Sequence, residues 1–296
     1  EHIGDVRKSL PDLPVSNILV EPAKRGTAPC IMWAAIWLEK IDPSAIMMVV
    51  PADHIVIGLS EYIQALKNAC DVAKKFHGLV TIGLRPTEPA TNYGYIQCEN
   101  IVSHGEIDLR VFTVRKFIEK PTLQLALQFY ESGDYLWNTG TFVWSVTTVL
   151  KSLQRFSPGF RKGIEAIKEF WTDKSTLREK YKSLEYNSID YALLERSDDI
   201  YVVSSKHKRL DVGDINSFGQ LWKQDDNMNS VNGLWVQADC EENLIYSSVP
   251  LVAMIGVKNL AVIVQDDVVL VCDRDQTQKV RTIVAKLKEN NLGEYL

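Results

Sequence analysis

Short apolar runs alternate with stretches of helical period along the first two thirds of the chain. Met47-Met48-Val49-Val50 stops abruptly at Pro51, Ala52 and Asp53, the pattern of a buried strand whose carboxyl end carries a carboxylate to the edge of a sheet. Residues 18–20 read as a short strand before it. A loop of small residues over 21–29 then leads into a helix over 31–40, with Pro29 near its first turn, where a missing N–H costs nothing. Tyr62, Ala65, Leu66, Ala69, Val72, Ala73 and Phe76 recur at helical spacing, Gly78 closes that helix, and an apolar strand over 79–84 follows at once. Such strand–helix–strand alternation predicts crossover units with helices on the faces of a largely parallel sheet.

Further strands are expected from Tyr93-Gly94-Tyr95-Ile96-Gln97, from 111–118 running into Glu119-Lys120-Pro121, and from the aromatic run 135–144. Thr122 caps a helix with Leu125, Ala126, Phe129 and Tyr130 on its apolar face. Residues 147–186 are helical and charge-rich, and Ser188 and Asp190 stand in capping positions of another helix. Beyond 225–227 the texture changes to short strands over 234–238, 244–246, 251–255, 260–264 and 268–271, closed by a helix over 276–288. No internal repeat is legible. The expected division is therefore an α/β domain over 1–226 and a smaller β-rich lobe over 227–296.

Composition narrows the function. A 46% hydrophobic fraction supports a packed core, while a net charge of −5 and a pI near 5.6 argue against a nucleic-acid binder, which needs a surplus of Lys and Arg. Cys30, Cys70, Cys98, Cys240 and Cys272 are scattered, odd in number and without a Cys-x-x-Cys pair, so they read as buried thiols of a reduced compartment. No apolar stretch approaches the ~20 residues of a membrane span. The lead Glu1-His2-Ile3-Gly4-Asp5 has no signal-peptide character and no initiating Met. A cytoplasmic protein without membrane contact is expected, and a chain whose first residue falls inside a domain.

The candidate chemistry sits at strand ends. Asp53 is either a metal ligand or a turn cap, and Asp211, in Leu210-Asp211-Val212-Gly213-Asp214, is a second carboxylate able to stand in the same crevice; a pair of hard oxygens suits Mg²⁺. Lys120 is a phosphate ligand or a solvated surface cation. Asn138, in Trp137-Asn138-Thr139-Gly140, has the donor and acceptor needed to read sugar hydroxyls, or else makes a tight turn with Gly140. Gly94 between two tyrosines admits a ligand to the backbone, or marks a bulge. The loop over 21–29 can meet an anion or a nucleobase, or simply connects a strand to a helix.

Taken together, Glu21-Pro22 with Thr27-Ala28-Pro29, Pro51-Ala52-Asp53-His54, Tyr93-Gly94-Tyr95-Ile96, Phe117-Ile118-Glu119-Lys120-Pro121, Trp137-Asn138-Thr139-Gly140, Ser188-Ile189-Asp190-Tyr191 and Asp211-Val212-Gly213 resemble, in order, the mannose-1-phosphate guanylyltransferases of the sugar nucleotidyltransferase superfamily. The tail, with Asp273-Arg274-Asp275 and the closing helix, resembles the family's end. The resemblance implies a Rossmann-like nucleotidyltransferase (GT-A-like) fold with a mixed, mostly parallel sheet. It implies transfer of GMP from GTP to mannose 1-phosphate with release of pyrophosphate. It places Glu21, Thr27 and Ala28 by the guanine, Asp53 and Asp211 on Mg²⁺, and Lys120 on the sugar phosphate, with Glu119, Asn138, Gly140, Gly94 and Tyr95 around the mannose.

The sequence also departs from that family. The glycine-rich Gly-Gly-x-Gly-Thr-Arg loop is absent from it; such a loop wraps nucleotide phosphates with backbone N–H groups, and a single donor of that kind is worth about 3–4 kcal/mol of transition-state stabilisation. Gly26 stands where Asn is usual, Asn92 where Gly is, Arg209 where Trp is, and Asp214 and Ile215 in place of a small residue and Trp. The expectations are thus the greater part of a guanylyltransferase whose first segment lies upstream or, alternatively, a degenerate homologue that binds a nucleotide sugar or a partner subunit without catalysis. A third reading changes only the nucleotide or hexose. The β-rich lobe with its apolar closing helix is a candidate homodimer contact.

Overall fold

The computed structural model describes residues 3–104, 110–213, 215–219, 221–248 and 250–295, so Asp214, one of the family departures, lies outside the described residues. Two compact units make up the chain: Glu1–Pro51 with Val56–Lys208, and Ala52–Ile55 with Arg209–Leu296.

In chain order the first unit contains α1 (Ile3–Ser9), α2 (Thr27–Ile41), β1 (Ile46–Val49), the end of β2 (His54–Ile57), α3 (Leu59–Phe76), β3 (Leu79–Leu84), β4 (Tyr95–His104), β5 (Arg110–Ile118), α4 (Leu123–Ser132), β6 (Tyr135–Ser145), α5 (Val146–Phe156), α6 (Pro158–Glu169), α7 (Lys174–Lys182), α8 (Ile189–Ala192) and β7 (Ile200–Ser205). The six-stranded sheet has the order β1-β6-β3-β7-β5-β4, and β4 also pairs with the start of β6. Five strands, β6, β3, β7, β5 and β4, are therefore joined in a closed cycle of pairings.

The sheet is mixed, as expected, but its pairing is not mostly parallel: among the described residues β3–β7 is its parallel pair, and the other neighbours are antiparallel. The predicted crossover is present, since β1 and β3 run the same way on either side of α3. What changes the pairing is β6, which enters between them in the opposite sense. Helices α2 and α5 to α7 cover one apolar cluster centred on Met32, Trp144, Leu153 and Phe160, while α3 covers another built from Ala65, Ala69, Val80, Val143 and Val203. That two-sided burial is why β3 is buried throughout and apolar at most of its positions.

Three local expectations are corrected. Residues 18–20 form no strand, because three extended residues need a ladder partner and Val20 is half exposed. The strand before Asp53 is an edge strand and not a buried one: Met48 and Val50 are 52% and 54% exposed. His77, with φ +54, takes the left-handed C-cap position of α3 in place of Gly78; a Cβ on Gly78 would stand 2.5 Å from the Tyr201 ring, so packing and not capping requires that glycine.

The second unit contains the start of β2, most of β8 (Lys208–Asp211), α9 (Ile215–Gly219), β9 (Lys223–Gln224), β10 (Ser230–Asn232), β11 (Trp235–Ala238), β12 (Leu244–Ser247), β13 (Val252–Ile255), β14 (Leu260–Gln265), β15 (Val268–Asp273) and α10 (Val280–Glu289). Strands β10, β12 and β14 stack in parallel on one side, and β11 and β13 in parallel on another. This coil of rungs is a repeat that the sequence hides, because successive partners are 14 residues apart at Ser230↔Leu244 but 17 at Leu244↔Ala261, and only a corner asparagine recurs. Asn229 and Asn243 are fully buried there: Asn243 N–H and Nδ2 both donate to Asn229 Oδ1, and Asn243 Oδ1 accepts the N–H of Leu260. Among the described residues no helix is long and apolar enough to cross a membrane.

Candidate functional site

Within the first unit, β6 is irregular where it carries buried polar groups. Gly140 adopts φ +70, and the β3–β6 register shifts between Thr81 and Gly83, opposite Asn138. Asn138 makes no tight turn with Gly140, since both lie inside the continuous strand β6; it is a fixed polar group there. Its Oδ1 accepts the Thr81 hydroxyl at 3.0 Å and the Gly140 N–H at 3.1 Å, its Nδ2 donates to Asp190 Oδ1 at 3.2 Å, and its N–H donates to the Gly94 carbonyl at 2.7 Å. With acceptors and donors assigned on both sides, the amide has one orientation.

Gly94 is required by proximity. A Cβ there would lie 2.5 Å from Glu119 Oε2 and 3.3 Å from the Asn138 Cβ. Beyond β5, the Glu119 N–H donates to Glu195 Oε1 at 2.9 Å, and Lys120 sits at φ +46, a left-handed conformation uncommon for a side chain of this size. Its Nζ lies 2.9 Å from Glu119 Oε1, and this hydrogen bond holds the ammonium pKa above its usual value. Asp190 completes the group. Burial, and then the charge of Glu119, push its carboxyl up to about 6. Sequence reasoning missed Asp190 by taking it for a cap, yet Ser188 already caps α8 by accepting the Tyr191 N–H. A surplus carboxylate in a helix of four residues was the available signal.

Other predicted contacts are spent inside the fold. The Tyr95 ring is wholly buried beside Phe129 and Tyr135, so only its backbone can face a ligand. Ala28 is also fully buried, and its N–H donates to the Asn187 carbonyl. Thr27 Oγ1 accepts the Ile189 N–H at 3.0 Å, and Glu21 accepts the Tyr181 hydroxyl. Gly26, at φ +89, leaves no room for a Cβ, which would stand 2.4 Å from the Asn187 carbonyl oxygen. The loop over 21–29 is thereby stitched to 187–189, and Glu21, Thr27 and Ala28 do not join the Asn138 group by any hydrogen bond between described residues.

Within the second unit, the structure brings Asp53 and Asp211 together. The Val212 N–H donates to the Asp53 carbonyl at 2.7 Å, and His54 Nε2 lies 3.2 Å from Asp211 Oδ1 and 3.8 Å from Asp53 Oδ1. Burial, opposed by the Asp211 charge and assisted by that of Arg209, lowers the His54 pKa. Arg209, itself buried, spans both oxygens of Asp211, Nε to Oδ1 at 3.3 Å and Nη2 to Oδ2 at 3.5 Å. Asp211 Oδ1 is nevertheless buried without a well-formed hydrogen bond from any described residue. Two convergent carboxylates with an unsatisfied buried oxygen fit a hard divalent cation that fills its remaining positions with water or phosphate oxygens. Among the described residues no group of three His, Cys, Asp or Glu side chains could hold an ion alone.

The family model for nucleotidyl transferase matches residues 2–228, and that for the MannoseP isomerase/GMP-like beta-helix domain matches 233–287. The chain belongs to the nucleotidyl transferase family. Its relatives include a mannose-1-phosphate guanylyltransferase of Escherichia coli, 36% identical over 95% of this chain, and one of strain K12, 33% identical over 94%. The chain spans about three fifths of the length of these curated relatives, 61% and 59%. Among solved structures, that of "mannose-1-phosphate geranyltransferase" from Thermus thermophilus superposes with a TM-score of 0.79 at 30% identity, covering 96% of this chain and 81% of that one. A mannose-6-phosphate isomerase structure from Helicobacter pylori follows at 0.57 and 28%, covering 70% and 80%.

Proposed function

We propose that this chain carries the guanylyltransfer chemistry of a mannose-1-phosphate guanylyltransferase, making GDP-mannose and pyrophosphate from GTP and mannose 1-phosphate. The observation that carries the reading is the Asn138–Asp190–Glu119–Lys120 group: a locked amide, two carboxylates and an ammonium together offer donors and acceptors for sugar hydroxyls and a cation for the sugar phosphate. A sugar-phosphate oxygen attacks the α-phosphorus of GTP, the new P–O bond forms as the bond to the β-phosphate oxygen breaks, and pyrophosphate leaves. Catalysis of such a step rests on in-line positioning and charge neutralisation, with no covalent intermediate.

Lys120 steadies the attacking phosphate; Glu119, Asn138 and the Gly94 and Gly140 backbone orient the hexose; the loop at Glu21, Thr27 and Ala28 faces the base, chiefly through Glu21 and backbone groups. Asp53 and Asp211 would hold Mg²⁺, which when bound would supply charge to neutralise phosphate oxygens. The transferase domain is assigned to 1–226 and the β-rich lobe to 227–296, with the two family-model ranges in support. The protein works in the cytoplasm, without membrane or nucleic acid, and the lobe with α10 is its homodimer contact.

Calorimetry with mannose 1-phosphate and a pyrophosphate-release assay with GTP test this reading. Saturable binding with turnover supports it, binding of GDP-mannose without turnover moves the chain to the non-catalytic alternative, and failure to bind either sugar compound sinks both.

A further inference from the structure

We propose that the Arg209 guanidinium is a resident counter-cation of Asp211 that competes with a divalent metal ion for the same carboxylate, and so makes this chain's hold on that ion weak. The inference rests on the metal role assigned above to Asp53 and Asp211. The two carboxylates are not alike. Asp53 is 68% exposed at its side chain, and its Oδ1 lies 3.8 Å from Nε2 of His54, whose lowered pKa favours the neutral imidazole. Asp211 is covered along both oxygens by a buried guanidinium at 3.3 and 3.5 Å.

A guanidinium cannot give up its proton, so it cannot make way for a metal by titrating. A metal ion arriving at Asp211 has two options. It can share the carboxylate with Arg209, which puts a divalent charge within a few ångströms of a fixed positive one; at the dielectric of a partly buried site this repulsion is on the order of tenfold or more in affinity. Alternatively it can displace the guanidinium, which breaks an ion pair that is largely shielded from water. Either way Asp211 meets the ion at a disadvantage that Asp53 does not share.

The test is Mn²⁺ titration of the 296-residue chain, without substrates, by electron paramagnetic resonance or calorimetry. Arg209→Gln keeps a planar polar end and removes the charge; it should bind Mn²⁺ at least about tenfold more tightly than the parent chain. Arg209→Lys keeps the charge and should stay within a few-fold of the parent. Adding Asp211→Asn to Arg209→Gln should return affinity to the parent level. Thermal unfolding supplies a second readout: the Tm of Arg209→Gln should rise with Mg²⁺ by more than that of the parent, because the ion then replaces the missing counter-charge. Should that variant fold poorly, its refolding yield should recover when Mn²⁺ is added. Equal Mn²⁺ affinity in the parent and Arg209→Gln, with no metal-dependent recovery, overturns the proposal. So does a gain by Arg209→Lys as large as that by Arg209→Gln, or a gain that survives Asp211→Asn. Absence of Mn²⁺ binding in all the chains overturns the metal role of the two carboxylates and this inference with it.

Discussion

The Asn138 group of the first unit and the Asp53–Asp211 pair of the second are both polar, but they are held in different ways. Around Asn138 the geometry is fixed by short-range hydrogen bonds between buried partners and by a glycine that admits no Cβ. Around Asp211 it is fixed by charge: a guanidinium and an imidazole face a carboxylate, and Asp53 stands largely in solvent. The first arrangement is preorganised by its own hydrogen bonds. The second is a balance of ions that another ion can shift. Perturbing shape should therefore damage the first most, and perturbing charge the second.

The largest effect is expected from Asn138→Ala. It takes away the side-chain acceptor of the Gly140 N–H, at about 1–3 kcal/mol for a buried group left unpaired, leaves the Thr81 hydroxyl only the Thr141 carbonyl, and should weaken mannose 1-phosphate binding by roughly a hundredfold by calorimetry. A variant that binds normally would remove Asn138 from the sugar site. Gly94→Ala comes next: its methyl must push Glu119 Oε2 away, and about a tenfold loss of affinity with little change in overall fold is the expected outcome, checked by calorimetry beside circular dichroism.

Asp190 sharpens the comparison through pH. Its pKa of about 6 in the folded chain lies above the ordinary ~3.9 of an aspartate. Between roughly pH 4 and 6 the folded state keeps a proton that the unfolded state has lost, so the contribution of Asp190 to stability falls as pH rises through that window and is level above it. Asp190→Asn, which does not titrate, should gain on the parent chain across the same window by up to about 2–3 kcal/mol in urea unfolding. A constant difference from pH 4 to 7 would refute the raised pKa. The smallest structural effect belongs to Asp53→Asn: the residue is exposed, so stability should stay within about 0.5 kcal/mol, while the Mg²⁺ concentration needed for half-maximal nucleotide binding rises several-fold. Unchanged Mg²⁺ dependence would take Asp53 out of the metal site.

Much of this was legible in the sequence where one residue type leaves few uses. The run 79–84 is buried on both faces and reads as a strand; Lys120 stands out as a polar group just past the end of one strand, and Asn138 as one inside another. What was not legible depends on partners distant in sequence. Residues 18–20 look like a strand and lack a ladder. Met48 and Val50 look buried, but β1 has a neighbour on one side only. The entry of β6 between β1 and β3 leaves no mark on either strand, and the rungs of the second unit repeat in shape while varying in length. Asp190 was concealed by a plausible local use, helix capping. Arg209 was visible only as an unusual residue, and its grip on Asp211 required coordinates.

The closed cycle of pairings has a kinetic corollary. Each of β6, β3, β7, β5 and β4 has a partner on both sides for at least part of its length, and none can peel away without breaking two ladders. Strand β1 lies outside the cycle, attached to β6 by four paired residues. In native-state hydrogen exchange its amides should open first in the sheet, at a free energy well below global unfolding. Because β1 ends at Val49, shortly before Asp53, the segment that approaches the carboxylate from its N-terminal side is also the one most readily released from the sheet, so the reach of Asp53 toward an incoming ion is set by fraying equilibria as well as by static distances.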